Sequence, residues 1–281
     1  VKFKREKLKR AAVLGCGPAG LFATHALVEK GWQVTVYSKR RKSHMFGAQY
    51  LHRAIPGLTK SDPVEVEYAL LGGTPEEYRE KIYGPNQVTT SVQILNNNHQ
   101  AWDIREAYDE AWERYSHLVI EADVTSKWLG IHSWEERAEP LTPVGLASHQ
   151  YDVVISSIPM DQLCYQQHEF HSTSIWAIGD APERGTYAPY RAPENTIQCS
   201  ASPDVGWYRA SNVFSHVTVE WPGRTKPPLP GIAQVTKPIA NNCNCFDWGS
   251  GFPSKFIRVG RYGQWIKGVL SHHAYETAAW L

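Results

Sequence analysis

The chain has 281 residues, of which 42% are hydrophobic and 20% charged, with a formal net charge of +1. That length supports one large domain or two small ones, and the composition excludes a disordered chain. A charge balance so near neutrality gives no overall field for nucleic acid, membrane surfaces or acidic partners.

The basic run is Lys2-Phe3-Lys4-Arg5-Glu6-Lys7-Leu8-Lys9-Arg10, which reads as a solvated lead into the first strand; nothing else points toward nucleic acid. A first residue of Val rather than Met is expected of a processed or trimmed chain. Ala11-Ala12-Val13-Leu14 is a short apolar strand, followed by Gly15-Cys16-Gly17-Pro18-Ala19-Gly20. Leu21 to Lys30 then shows helical apolar spacing, Gly31 ends the helix, and Gln33-Val34-Thr35-Val36-Tyr37 is a β-branched strand. This βαβ start predicts a parallel sheet with both faces covered.

A glycine pattern that follows a strand and opens a helix predicts a dinucleotide cradle. Gly15 permits the tight turn, Gly17 lets backbone approach a pyrophosphate, and Gly20 lets the helix pack closely, with Pro18 and Ala19 opening the helix. The helix N-terminus supplies amide donors and partial positive charge. FAD is the expected cofactor. The second strand, however, ends at Ser38 where an acid for the ribose is expected, and Lys39, Arg40, Arg41 and Lys42 follow. A serine with cations suits a 2′-phosphate, so NADP stays open as the alternative.

Residues 55–100 are broken up by Pro56, Pro63, Pro75 and Pro85. Ala101 to Tyr115 reads as an amphipathic helix, and Leu118-Val119-Ile120 and Tyr151-Asp152-Val153-Val154-Ile155 as strands of the sheet. Residues 165–255, rich in Pro, Trp and β-branched types, suggest an antiparallel sheet. Phe256-Ile257-Arg258-Val259 is the last strand, with a turn and a helix to the end. The expected fold is therefore α/β: a Rossmann-type FAD-binding domain with a parallel sheet, plus an inserted mixed or antiparallel β-rich substrate domain. The expected boundaries are 1–60, 116–162 and 255–281 for the first, and 61–115 and 163–254 for the second.

Gly260-Arg261-Tyr262-Gly263-Gln264-Trp265 lies between the last strand and the last helix and decides for FAD over NADP. A second strand–turn–helix lets a flavin protein close over the ribityl chain and ring, with Tyr262 and Gly263 offering backbone N–H groups and a helix from Gln264 onward directing its dipole at the ring. Ser174-Ile175-Trp176-Ala177-Ile178-Gly179-Asp180 is a competing second motif, in which the carboxylate would take the ribityl hydroxyls.

Taken with Asp152-Val153-Val154-Ile155-Ser156-Ser157-Ile158-Pro159 and Trp207-Tyr208-Arg209, these motifs occur in an order that resembles FAD proteins of the UDP-galactopyranose mutase, protoporphyrinogen oxidase and amine oxidase superfamily. The resemblance implies FAD in the Rossmann domain and a small-molecule substrate entering over it from the inserted domain. It implies that Arg209 lies near flavin and substrate, and that Gly47 and Gln49, remnants of a double-glycine stretch, pass the ring. His52 is the candidate acid–base group, since its ordinary pKa lies near neutrality.

Cys164-x-x-x-His168-x-x-His171 and Cys243-x-Cys245 have ligand-like spacings, open to zinc, a redox pair or plain packing. Five scattered Cys do not form a disulfide framework, and 11 Trp point to a large apolar pocket or interface. The expected activity is an FAD-dependent oxidoreductase, oxidising a small amine or related substrate by hydride transfer to the flavin. A non-redox flavin-dependent mutase acting on a nucleotide sugar, and an FAD- or NADP-binding protein without turnover, are the alternatives. A cytoplasmic location with no membrane partner is expected, and the oligomeric state is open.

Overall fold

The structure is a computed structural model that describes residues 8–42, 45, 46, 49–85, 98–125, 129, 150–178, 192–224, 226–245 and 255–281. In chain order its elements are β1 (Arg10–Leu14), α1 (Pro18–Glu29), β2 (Gln33–Ser38), β3 (Val64–Leu71), α2 (Pro75–Tyr83), β4 (His99–Ala101), α3 (Ile104–Tyr115), β5 (Val119–Glu121) and β6 (Val153–Ser156). There follow α4 (Met160–Leu163), β7 (Phe170–Ile178), β8 (Thr196–Ser200), β9 (Arg209–Val213), β10 (His216–Pro222), β11 (Ile232–Asn241), β12 (Lys255–Arg258), α5 (Gly260–Gln264) and α6 (His272–Ala279).

The chain forms two compact units, one from 1–42, 107–171 and 240–281, the other from 43–106 and 172–239. In the first, the strands run in the order β12-β6-β1-β2-β5, and each described pair is parallel. Residues Ala11 to Leu14 of the central strand are fully buried, as a strand covered on both faces must be. Helix α1 buries Leu21, Phe22 and Leu27, and α6 packs on it with Tyr275 stacked on His25 at 5.8 Å. The predicted α/β fold with a parallel sheet is present.

The second unit carries the order β11-β7-β10-β9-β8-β3-β4. Its described ladders are antiparallel except β3 with β8, so the sheet is mixed. The unit boundaries differ from those read from the sequence. Residues 43–60 fall in the second unit, and 107–115, 163–171 and 240–245 in the first. From Ala107 onward α3 belongs with the parallel sheet because Tyr108 donates a hydrogen bond to the Cys16 carbonyl at 2.9 Å. Cys243 and Cys245 likewise pack in one buried cluster with Leu14, Val154 and Leu163.

An acid sits at the heart of the second unit. Glu220 on β10 is only 1% exposed, and its carboxylate accepts hydrogen bonds from Arg209 on β9, from the Tyr208 hydroxyl and, at 2.6 Å, from the Lys237 ammonium on β11. Burial alone would raise the Glu220 pKa, but the two cations and their hydrogen bonds outweigh it and hold the carboxyl far below its ordinary range. A depressed carboxyl contributes stability that is present above its unfolded pKa and is lost as pH falls toward the folded one. We expect unfolding free energy in urea to decline as pH drops below about 4.5, the ordinary carboxyl value. Glu220→Gln should lower stability by about 3 kcal/mol at pH 7 and remove that part of the pH dependence; a variant as stable as the parent would mean the clasp contributes nothing.

Candidate functional site

The first unit brings the glycine turn and the C-terminal turn together. Gly15 adopts φ +93, and a Cβ there would come 2.6 Å from the Ser157 hydroxyl. Gly20 leaves no room at all, since its Cβ would stand 1.8 Å from the Gly15 carbonyl oxygen. Gly17 is the contrast: a Cβ there would meet nothing within 4 Å. It is the N-cap of α1, with Pro18 next, no capping side chain and no acid in the first turn. Pro at that position costs no hydrogen bond, because its missing N–H would be unpaired anyway. Helix α2 of the same chain is fully capped, by Thr74 and Glu77 reaching each other's backbone N–H. The α1 terminus therefore keeps uncapped amide donors beside open space, the arrangement that takes an anion.

Three side chains brace the turn. The Cys16 amide donates to the Ser38 hydroxyl oxygen at 3.1 Å, Tyr108 donates to the Cys16 carbonyl, and Ser157 donates to the Leu14 carbonyl at 3.1 Å. Ser38 is thus buried at the turn, where its hydroxyl oxygen accepts from the Cys16 amide. Burial raises the Cys16 thiol pKa, against the lowering hydrogen bond from Ser38. Two of the four cations after Ser38 pair with acids: Lys39 with Asp123 at 2.9 Å, and Arg41 with Asp109 while lying over the rings of Tyr108 and Trp112.

Gly260, at φ +72, packs so closely on the start of α1 that its Cβ would stand 2.6 Å from that of Ala19. Gly263 lies against the end of β6, where a Cβ would come 2.6 Å from the Ser156 carbonyl. The short helix is α5, covering Gly260–Gln264, and no helix starts at Gln264. Trp265 takes the left-handed conformation at φ +55 and Gly268 follows at φ +87, which turns the chain before α6. Trp265 itself is buried, donating its indole N–H to the His171 carbonyl at 3.0 Å with Phe170 edge-on to its ring. Its place is the core. Arg261 and Lys267 set two cations on the same turn; burial first, and then the Arg261 charge, bring the Lys267 ammonium down to about 8. An anion beside them would relieve both effects.

Gln49, His52 and Arg209 belong to the second unit. Gln49 donates to the Phe46 carbonyl at 2.7 Å, and Gly47 lies outside the described residues. His52 stacks on His99 at 5.0 Å and on Tyr50 at 4.8 Å. Tyr50 in turn bonds His99 at 2.9 Å and Tyr68 at 2.7 Å, forming a part-buried tyrosine–histidine chain that sequence reasoning missed. Arg209 is bound in the Glu220 clasp, and its Nε is buried with no hydrogen-bond partner. A lone acid inside the apolar run Val217-Thr218-Val219-Glu220-Trp221 was the signal for that clasp. The competing strand Ser174 to Ile178 is real but lies in the mixed sheet, and Gly179 and Asp180 lie outside the described residues. So do the basic residues 1–7.

No protein-family model matches the chain, and no curated protein matches it. Among solved structures, a mutant of 2-methyl-3-hydroxypyridine-5-carboxylic acid oxygenase is similar with a TM-score of 0.50 and 12% identity, covering 97% of this chain and 86% of that one. The tetrameric form of that oxygenase has a TM-score of 0.49 and 13% identity over the same shares. CtdE in complex with FAD and substrate 4 has a TM-score of 0.42 and 13% identity, covering 96% of this chain and 79% of that one. The first likeness is one of fold, and at such identity it reaches no further. No described helix is long and apolar enough to cross a membrane.

Two of the turn's three glycines should respond differently to one methyl group. Gly20→Ala should cost about 3 kcal/mol or more in urea unfolding, because the obstacle is backbone. Gly17→Ala should stay within about 1 kcal/mol of the parent, as an uncapped N-cap position allows. Equal losses would mean that the space over Gly17 is not open.

Proposed function

We propose that this chain is an FAD-dependent oxidoreductase. The observation that carries the reading is the open space over Gly17 at an uncapped helix terminus, with the Gly260 turn packed against the next residue but one, Ala19. The Ala19 and Gly20 amides at the α1 terminus would hold the pyrophosphate, and the backbone of Tyr262 and Gly263 would face the ribityl chain and ring. The bound flavin would supply a two-electron acceptor, while the protein binds, orients and excludes water.

The substrate in this reading is a small molecule that gives up a hydride from carbon, most simply from a carbon beside an amine. Oxygen is the simplest final acceptor on a fold shared with an oxygenase. His52 is the acid–base group in the proposal, held by its stack on His99 and Tyr50. Arg209 is better placed to shape the second unit's polar interior than to clamp an anion, because Glu220 already holds it. That pairing weighs against the nucleotide-sugar mutase reading, which needs arginines free to take a diphosphate.

The test is the visible spectrum of the purified chain, as isolated and after incubation with FAD. Oxidised-flavin absorption that stays with the protein through desalting is expected, and Gly17→Val should lose it while circular dichroism remains that of the parent. A colourless protein that takes up no FAD but retains NADPH would overturn the reading in favour of the 2′-phosphate alternative.

A further inference from the structure

Four metal-ligand side chains from two distant stretches meet in the first unit. Cys164 and His168 follow α4, and Cys243 and Cys245 follow β11. Their ligand atoms all lie within 4.8 Å of one another. The Cys164 sulfur is 3.7 Å from that of Cys245 and 3.6 Å from that of Cys243. The His168 Nδ1 is 3.2 Å from the Cys164 sulfur and 3.4 Å from the Cys245 sulfur.

These spacings are those of a tetrahedral shell. With Zn–S near 2.3 Å and Zn–N near 2.05 Å, tetrahedral angles put sulfurs about 3.8 Å apart and sulfur from nitrogen about 3.5 Å apart. A disulfide needs its sulfurs about 2.05 Å apart, so neither of these two sulfur pairs is one. Ordinary packing does not bring three thiols and an imidazole nitrogen to converge on one point from segments some 75 residues apart in sequence. We propose that Cys164, His168, Cys243 and Cys245 bind one zinc ion. Three thiolates and one imidazole fill a tetrahedron and leave no position for substrate, so the ion is structural. Soft thiolate donors select zinc over magnesium or calcium.

The surroundings hold both ligand stretches in register. The Cys243 amide donates to the Asn241 side chain at 2.9 Å, and the Cys243 carbonyl accepts from Arg258 at 3.1 Å. Tyr165 donates to the Cys245 carbonyl at 2.9 Å. The Glu169 amide donates to the Asn242 side chain at 2.9 Å and ties the two stretches directly. Such outer partners orient first ligands in metal sites generally. Cys243 and Cys245 are buried, whereas Cys164 and His168 are part-exposed, which gives the ion a path of entry. His171 stays apart; its ring pairs with exposed Glu169 at 3.6 Å.

The site is independent of the flavin reading, and its test measures metal directly. Full-length protein purified from zinc-supplemented cells without chelator should carry about one zinc ion per chain by plasma mass spectrometry. His168→Gln and Cys245→Ser should reduce that to near zero, and His171→Gln should retain it. Should the variants fail to fold, titrating the thiols of the unaltered protein with a mercurial should release that zinc, read by a colorimetric chelator. Replacing zinc with Co²⁺ should give the intense visible absorption of tetrahedral thiolate coordination. Zinc-free protein that takes up no Co²⁺, iron in place of zinc, or a disulfide among the three cysteines would each overturn the proposal.

Discussion

The first unit is organised around one close approach, that of Gly20 under the Gly15 carbonyl. A methyl group between them would push α1 off β1, and the start of α1 would no longer face the ends of the parallel strands. Everything that could bind a dinucleotide depends on that distance. The turn is also braced without a ligand, by Ser38, Tyr108 and Ser157 acting on Cys16 and Leu14. Backbone groups fixed before binding lose little freedom on binding, so a pyrophosphate would meet donors already in place.

Each unit has its own buried polar tie. In the second, one carboxylate serves two cations, so Glu220, Arg209 and Lys237 together carry a single net positive charge. Buried ion groups of this kind rarely add much over well-packed apolar residues, but removing one member strands the others. The trio therefore fixes which strands meet more than how tightly they hold. In the first unit the cysteine–histidine cluster does the comparable task, joining the chain after α4 to the chain after β11.

What the sequence disclosed follows from how local each feature is. The βαβ start was legible because strand, turn and helix are set by neighbours within thirty residues. The C-terminal motif was legible as a turn but not in its helix, because a left-handed Trp265 cannot be read from side-chain chemistry. Ser38 was read as a cofactor ligand because it ends β2 at the expected place, and what no spacing discloses is that its oxygen also accepts from an amide 22 positions earlier. The compact units differ from the expected boundaries for a related reason. Segments near 107–115 and 240–245 join the parallel sheet's unit through Tyr108 and the buried cysteines, contacts that no periodicity encodes.

The choice between the two dinucleotides turns on magnitudes. Lys39 and Arg41 are paired with acids, but both pairs are exposed, and exposed pairs are worth about 1 kcal/mol or less. A phosphate dianion could displace them, so their pairing alone decides little. Arg41 is held further by two ring faces, each adding about 0.5–1 kcal/mol. What separates the cofactors in the proposed reading is the Gly260 turn, packed so closely on Ala19 that a Cβ at Gly260 would stand 2.6 Å from that of Ala19. A domain that held only a nicotinamide dinucleotide through α1 would have no use for backbone donors at that place, whereas a flavin's ribityl chain and ring extend beyond the pyrophosphate and need them. The weak surface pairs do not discriminate, and the close packing of Gly260 on Ala19 is what favours FAD in the proposed reading.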